Sequence, residues 1–362
     1  MKAPFVWFGG KRRVAPEVWA ALGDVPNYIE PFAGSLAVLL GRPHDMSNGT
    51  RRAETVNDAD GFLANFWRAL AHDPEAVAHW CDWPINEVDL FARHLWLVNT
   101  GRSRLLEGME ADPDFYDAQV AGWWVWGVNA WIGSGWCSGD GPWVDTGDGI
   151  RKRPHLGDAG QGVNRQRPHL GDAGRGVNRK LPHLGNGRGV NRKLPHLGDA
   201  GRAGYNNMEY RPNVLGYFEE LAGRLRDVRV CCGDWSRVCT SGAMSHGSKV
   251  GVFLDPPYLG DVRTADLYAV DDHTIAHAVR GWCLKHGDDP RLRIVLAGYR
   301  AEHDDLMPDT WRRHYYSASA AYSTTESAAR QDGNHANRAN EVLWISPHCV
   351  TPDRQGELWE SP

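Results

Sequence analysis

GVFLDPPYLG, residues 251–260, is an apolar run that ends in an aspartate, two prolines and a tyrosine. A short, continuous apolar run bounded by turn residues is typical of a buried strand in a parallel sheet. Proline fixes the backbone angle φ and removes an N–H donor, so Pro256 and Pro257 predict a rigid loop directly after that strand. The stretch therefore predicts a buried strand that delivers the carboxylate of Asp255 to the edge of a sheet.

Other segments of the chain predict an alternation of strands, polar loops and helices. A strand, a loop and a helix are predicted at 28–40 (YIEPFAGSLAVLL) and 54–70 (ETVNDADGFLANFWRAL), and a strand with its loop at 227–235 (DVRVCCGDW). A helix is predicted at 273–287 (HTIAHAVRGWCLKHG) and a strand at 292–299 (LRIVLAGY). This alternation predicts an α/β domain with a mixed, mostly parallel sheet. Ligands bind beyond the carboxyl ends of the strands in such sheets, so we expect the acid-bearing loops to face one crevice.

The composition is that of an ordinary water-soluble protein, with 42% apolar and 23% charged residues in a chain of 362. No apolar run reaches the roughly 18 residues of a membrane helix, and the N-terminus lacks the apolar segment of a signal peptide. Seven cysteines without framework spacing indicate a reducing compartment, so a cytoplasmic location is expected. The net charge of −5 excludes an overall basic protein, so contact with nucleic acid would need a locally basic surface.

The middle of the chain interrupts the strand–helix rhythm with an internal repeat. Its units carry Pro154, Pro168, Pro182 and Pro195, at spacings of 14, 14 and 13 residues, and residues 151–202 hold twelve Arg or Lys against three Asp. The segment has too few apolar residues for a core of its own. A surface loop without a role and an arm that contacts phosphates both stay open. A metal array of the repeated histidines is disfavoured, because no cysteine or acid accompanies each of them, and no metal is expected.

The residues after the strand at 251–254 suit an amino group on a nucleobase. The Asp255 carboxylate and the backbone carbonyl beside it can accept both N–H groups of an exocyclic amine, which favours a tetrahedral lone pair on the nitrogen. Tyr258 can stack on the face of a flat heterocycle. Asp-Pro also begins many ordinary turns, so these residues alone leave a strand-ending turn equally open.

The companions of this loop resemble a known family. PFVWFGGK, YIEPFAGS, VNDAD, CCGDW, FLDPPY and EVLWISPHC occur in this order, over residues 4–72 and 206–349. The set resembles the D12 class of DNA adenine methyltransferases (the Dam family), and we expect a phage-type member. The resemblance implies a Rossmann-like fold, S-adenosylmethionine as the cofactor, and methylation of adenine N6.

The resemblance also implies roles for individual residues. It implies cofactor contacts at Trp7, Gly9, Gly10, Lys11, Glu30, Pro31, Phe32, Ala33, Gly34, Ser35, Asp58, Asp234, Trp235 and Asp255. It implies a catalytic loop of Asp255, Pro256, Pro257 and Tyr258. Asp58 matches the acid that takes the ribose hydroxyls, as a carboxylate after a second strand does in Rossmann-like sites. Leu36 departs from the family turn F-x-G-x-G, in which a second glycine lets cofactor and backbone approach closely.

The order of the motifs implies a catalytic domain in two parts. Residues 1–72 would form its first half, 73–205 an inserted target-recognition region with the repeats at 151–205, and 206–362 its second half. The expected partner is double-stranded DNA, with the target base flipped out of the helix. Restriction–modification is the expected setting, although the sequence shows neither a partner nuclease, nor the recognition sequence, nor the oligomeric state.

Two rival functions stay open. Methylation of cytosine N4 uses the same chemistry on the same type of amino group, and a catalytically silent DNA-binding protein could keep the fold. Methylation of cytosine C5 is disfavoured because it needs a cysteine nucleophile, and Cys231 and Cys232 lie in a loop that the resemblance assigns to the cofactor.

Overall fold

The computed structural model describes residues 1–5, 7, 10–43, 52–131, 136–137, 143–145, 150–152, 214–257, 275–316 and 341–351. The chain divides into two compact units. The helical unit is Met1–Val6, Ala59–Arg226 and Val262–Asp271, and the sheet unit is Trp7–Asp58, Asp227–Asp261 and Asp272–Pro362. This division at 58/59 and 226/227 lies some residues away from the domain limits expected from the motifs. The expected limits at 72/73 and 205/206 separate a catalytic from a recognition function, which a division into compact units does not test, so they stay a prediction.

The strands, numbered in chain order, are β1 Asn27–Glu30, β2 Ala53–Asp58, β3 Trp143–Asp145, β4 Ile150–Lys152, β5 Val228–Cys232, β6 Val250–Leu254, β7 Leu292–Tyr299, β8 Arg312–Tyr316 and β9 Glu341–Ile345. Seven of them form one sheet in the order β5-β2-β1-β6-β7-β9-β8. The first five in that order run parallel, and β9 runs antiparallel to β7 and β8. The predicted mixed, mostly parallel sheet is confirmed, and its order reverses between β1 and β6, where such sheets bind ligands.

The α-helices are α1 Ala15–Leu22, α2 Ala37–Leu40, α3 Gly61–His72, α4 Pro74–Cys81, α5 Glu87–Trp96, α6 Arg102–Ala111, α7 Ala118–Ala130, α8 Val214–Leu225, α9 Ile275–His286 and α10 Arg300–His303. Short 3₁₀ turns cover Lys11–Arg13, Trp235–Val238 and Ala243–Ser245, and a π turn covers Leu97–Gly101. Among the residues described, no helix is both long and apolar enough to cross a membrane.

Both faces of the central strand β6 are covered in the sheet unit. Val250, Val252 and Leu254 share a buried core with Val279 of α9. On the opposite face, a Cβ atom added to Gly251 would lie 2.9 Å from a methyl of Val25 and 3.5 Å from Leu22 of α1. A strand that is buried on both sides has no polar face, which is why β6 reads as a continuous apolar run.

The helical unit holds α3 to α8 and has an aromatic core. Phe66 of α3 lies with its ring centroid 5.7 Å from Trp124 of α7 and 6.3 Å from Phe218 of α8. All three side chains are almost fully buried. The strands β3 and β4 form a separate antiparallel pair, with Trp143 opposite Lys152.

Candidate active site

The candidate site lies in the sheet unit, and its centre is the loop that follows β6. Asp255 is the first residue after the strand, and one of its carboxylate oxygens, Oδ1, lies 3.0 Å from Nζ of Lys11. The exposed fractions of the two side chains are 18% for Asp255 and 6% for Lys11, so the ion pair is largely shielded from water. Pro256 is buried and Pro257 is half-buried. Tyr258 lies outside the described residues.

The loops after β1 and β2 meet through a hydrogen bond from a backbone N–H to a side-chain carboxylate. Asp58 closes β2, and its Oδ2 accepts a hydrogen bond from the N–H of Gly34 at 2.9 Å. Gly34 has a φ of +48°, and a Cβ atom there would lie 3.0 Å from the indole of Trp7. Only glycine fits both the left-handed backbone and the contact with the ring. The structure therefore brings together Trp7, Gly34 and Asp58, which the motifs assign to the cofactor.

The N-terminal segment spans the site. The N–H of Gly10 bonds to the carbonyl of Trp7 at 3.2 Å, and a Cβ at Gly10 would lie 3.8 Å from Oγ of Ser35. The next residue is Lys11, which pairs with Asp255. One short segment thus contacts both the turn after β1 and the loop after β6. Gly9 lies outside the described residues.

Asn57 is a site residue that the motif analysis missed. Its side chain is buried, and Nδ2 donates to the carbonyls of Pro31 at 3.0 Å and Gly233 at 2.9 Å. The N–H of Gly233 in turn bonds to the carbonyl of Asp58 at 3.0 Å. Asn57 therefore ties together the loops after β1, β2 and β5. The sequence did hold one signal, since Asn57 is an amide inside a buried strand and next to an acid. A buried amide needs hydrogen-bond partners, and the neighbouring loops can supply them.

The loop after β5 carries an acid and an aromatic ring. Asp234 is exposed, and its Oδ1 accepts hydrogen bonds from the N–H of Ser236 at 2.9 Å and from the Ser236 hydroxyl. Trp235 is nine-tenths buried, and its ring centroid lies 6.1 Å from that of Phe32, at an interplanar angle of 27°. The stacked pair borders the turn after β1. The cofactor roles predicted for Asp234 and Trp235 stay predictions.

The carboxyl group of Glu30 is turned into the fold. Its Oε2 accepts hydrogen bonds from the Tyr28 hydroxyl at 2.9 Å and from the N–H of Leu39 at 3.2 Å. Burial raises the pKa of Glu30 to about 8, because the charged form loses its hydration, and the negative charge of Asp255 raises this pKa as well. Glu30 thus joins the end of β1 to α2, while its predicted cofactor contact stays a prediction.

Leu36, the departure from the family turn, has a backbone that glycine would favour. Its φ of +54° and ψ of +28° are left-handed, and its N–H bonds to the carbonyl of Ala33 at 2.8 Å. The side chain is fully buried and precedes α2 directly. The motif glycine therefore corresponds to a real backbone requirement, which this chain meets with a buried leucine.

Four titratable side chains interact around the carboxyl end of β6. They are Lys11, Glu30, Asp255 and Glu341. Within the described part of the chain, no cluster of histidine, cysteine and carboxylate side chains has the makings of a metal site. The repeat units at 153–206, with their four histidines, lie outside the described residues.

Part of the chain matches a known protein family. Residues 7–85 match the model of the D12 class N6 adenine-specific DNA methyltransferases. This segment contains the motifs from Trp7 to Asp58, so the family resemblance drawn from the sequence is confirmed, whereas phage-type membership stays a prediction. No curated protein matches the chain.

Proposed function

We propose that this protein methylates adenine N6 in double-stranded DNA, with S-adenosylmethionine as the methyl donor. The observation that carries the proposal is the position of Asp255, Pro256 and Pro257 at the carboxyl end of β6. This is the edge where the strand order reverses and where α/β sheets bind their ligands. The family match over residues 7–85 supports DNA as the substrate and adenine as the base.

The described residues fit S-adenosylmethionine. The turn at Gly34 packs against the indole of Trp7 and bonds to the carboxylate of Asp58, so an aromatic ring and an acid meet at the loop after β1. Asp58 ends β2, where a carboxylate can accept hydrogen bonds from ribose hydroxyls. The stacked rings of Phe32 and Trp235 provide an aromatic border suited to an adenine ring. When bound, this cofactor supplies a methyl group on a positively charged sulfur, which a nitrogen lone pair can accept.

The contribution of the protein is to hold the amino group of the base. Asp255 and the carbonyl of Pro256 accept its two N–H groups, which concentrates electron density on the nitrogen. The prolines keep both acceptors fixed, so no reorganisation is needed during the reaction. The base leaves the stack to reach this loop, because its amino group is inaccessible in the duplex, and Tyr258 stacks on the base once it is flipped.

The test is an assay of methyl transfer with identification of the product. The pure protein is incubated with labelled S-adenosylmethionine and mixed-sequence double-stranded DNA, and the DNA is digested to nucleosides. We expect labelled N6-methyladenine from the wild type, and on the order of 10² to 10³ times less or lower still from Asp255→Ala. Labelled N4-methylcytosine would replace the proposal by its nearest rival, and DNA binding without any label would identify a silent binding protein.

A further inference from the structure

A cavity in the helical unit has walls of tryptophan. Its volume is about 420 Å³, and its lining residues come from α4, the segment after α4, α5 and α7. Four indole rings line it, those of Trp80, Trp83, Trp96 and Trp123. Pockets that hold small molecules are of about this size, with aromatic walls and a few polar groups that fix the orientation of the ligand.

Arg93 of α5 places a positive charge in this aromatic wall. The residue is only 8% exposed, and its guanidinium carbon lies 4.3 Å from the ring centroid of Trp126 and 5.1 Å from that of Trp123. Within the described part of the chain, Nη1 of Arg93 has no hydrogen-bond partner. A buried donor without an acceptor destabilises a protein, and an acceptor on a ligand would remove that cost.

A second donor in the same wall also lacks an acceptor. Nε1 of Trp123 is buried, and among the described residues it has no hydrogen-bond partner. Two neighbouring indoles are satisfied, since Nε1 of Trp126 donates to the carbonyl of Trp83 at 2.9 Å and Nε1 of Trp83 donates to Asp89 at 2.7 Å. Buried donors in proteins are almost always paired, so two unpaired donors at one cavity point to a ligand that carries acceptors.

The charges at the cavity favour a ligand with a single negative charge. Asp89 also lines the cavity, and its Oδ2 is engaged by Nδ2 of Asn86 at 2.5 Å and by Nε1 of Trp83. These hydrogen bonds lower the pKa of Asp89, so it is ionised at neutral pH. Arg93 attracts an anion, whereas the charge of Asp89 opposes a dianion such as a phosphate monoester.

We propose that this cavity binds a small molecule with a flat aromatic ring and one carboxylate, with the ring against the indoles and the carboxylate on Arg93. Guanidinium and carboxylate form strong charge-assisted hydrogen bonds, and Trp123 offers a further donor beside them. Tryptophan rings pack favourably against another flat ring. The site belongs to the helical unit, and the inference does not depend on the proposed methylation.

The test uses 2-naphthoate as the probe and titration calorimetry on the full chain. The size of the probe leads us to expect a dissociation constant of about 1 mM or lower. The uncharged 2-naphthamide has the same ring and should bind at least about tenfold more weakly. Cyclohexanecarboxylate has the charge without the aromatic ring and should bind about threefold more weakly or worse.

Arg93→Met should lower the affinity for 2-naphthoate at least about tenfold, because it removes the charged donor. Arg226→Met is the matched control, since Arg226 is exposed and lies just after α8. The control should bind 2-naphthoate with the affinity of the wild type.

Ala92 allows a second pair of variants that leaves the buried residues unchanged. It lines the cavity and is exposed. Ala92→Glu and Ala92→Gln add side chains of the same size, and only the first adds a negative charge. At low salt, 2-naphthoate should bind Ala92→Glu at least about threefold more weakly than Ala92→Gln, whereas 2-naphthamide should bind both equally.

Three results would each overturn the inference: no saturable binding of 2-naphthoate, equal affinity for 2-naphthamide, and equal affinity of the two Ala92 variants for 2-naphthoate. Displacement of 2-naphthoate by a lower concentration of a short single-stranded oligonucleotide would overturn it as well, because the cavity would then be a nucleobase site. If Arg93→Met does not fold, the Ala92 pair decides.

Discussion

Asp255 combines two interactions that a substitution can separate. It pairs with Lys11 at 3.0 Å and, in the proposed reaction, accepts a hydrogen bond from the base. Asp255→Ala should lower methyl transfer by on the order of 10² to 10³ or more, since one of two fixed acceptors is removed. Cofactor affinity should persist, because the cofactor contacts that we propose lie mainly in the loops after β1 and β2. Single-turnover kinetics and calorimetry measure the two effects, and wild-type turnover in the variant would show that the catalytic loop is assigned wrongly.

Leu36 offers a comparison in which glycine and alanine should exchange their usual order. The leucine side chain is fully buried, so Leu36→Ala should cost about 2–5 kcal/mol of unfolding free energy. The backbone is left-handed, with φ at +54°, which costs roughly 1 kcal/mol for any residue with a Cβ. Leu36→Gly should therefore be more stable than Leu36→Ala by about 1 kcal/mol, the reverse of their order in the interior of a helix, where glycine is the worse residue. Urea denaturation measures both, and a less stable glycine variant would show that the backbone strain is relieved in solution.

At the scale of elements, the loops after β1, β2 and β5 depend on one amide. Asn57→Ala removes the two donors that bond Pro31 and Gly233, and leaves their carbonyls without these partners. An unsatisfied buried group costs about 1–3 kcal/mol, so we expect a loss of about 2–4 kcal/mol in unfolding free energy. Cofactor affinity should fall as well, although Asn57 need not touch the cofactor. Calorimetry on folded protein separates the effects, and unchanged affinity would mean that the loops keep their geometry without Asn57.

The junction of β1 and α2 should make stability depend on pH. The pKa of Glu30 is about 8 in the folded protein, raised mainly by burial, against an ordinary value of 4.5. Between these values the Glu30 carboxyl has lost its proton in the unfolded protein and keeps it in the folded protein. The contribution of Glu30 to the free energy of unfolding is therefore complete below pH 4.5 and is lost as the pH rises towards 8. The free energy of unfolding should fall by at most about 1.4 kcal/mol per pH unit in this range.

Glu30→Gln should remove this slope, because the amide keeps the acceptor for Tyr28 but does not titrate. The measurement is the unfolding free energy of wild type and variant from about pH 5 to about pH 8. Burial lowers the pKa of His303 to about 4, which gives a slope of opposite sign at lower pH, but this contribution is common to both proteins and cancels in the difference. Parallel curves would show that Glu30 titrates normally.

The elements show what the sequence could and could not predict. β6 and β7 were predictable, because apolar runs bounded by turn residues leave few alternatives to a buried strand. The position of Asp58, Asp234 and Asp255 at one edge of the sheet was also predictable, because parallel strands have their carboxyl ends at the same edge. The role of Asn57 was not predictable, because it depends on a partner far away in the chain. The inward turn of Glu30 was missed for the same reason: its partner Leu39 contributes a backbone N–H, which no sequence pattern marks.

At the scale of the whole molecule, the distribution of charge carries the remaining prediction. The chain has a net charge of −5, yet residues 151–202 carry twelve Arg or Lys against three Asp. An acidic protein that binds a polyanion needs its positive charge concentrated locally, and these repeats are the densest basic segment singled out by the sequence. Phosphate contacts release counterions and do not depend on sequence, so the repeats would set how steeply DNA affinity falls with salt.

Deletion of residues 167–193, which removes two repeat units, tests this role. The segment is too polar and glycine-rich for a core, so the sheet unit should keep its unfolding free energy. DNA affinity should fall at moderate salt, and the plot of log K against log salt should become flatter by about 0.9 for each phosphate that the shortened protein no longer neutralises. The methylated sequence should stay the same, because phosphate contacts position a protein without reading bases. DNA titrations across a salt series and sequencing of methylated DNA supply the two measurements. An identical salt slope would show that the repeats do not contact phosphates, and a changed methylation sequence with an unchanged slope would make them base readers.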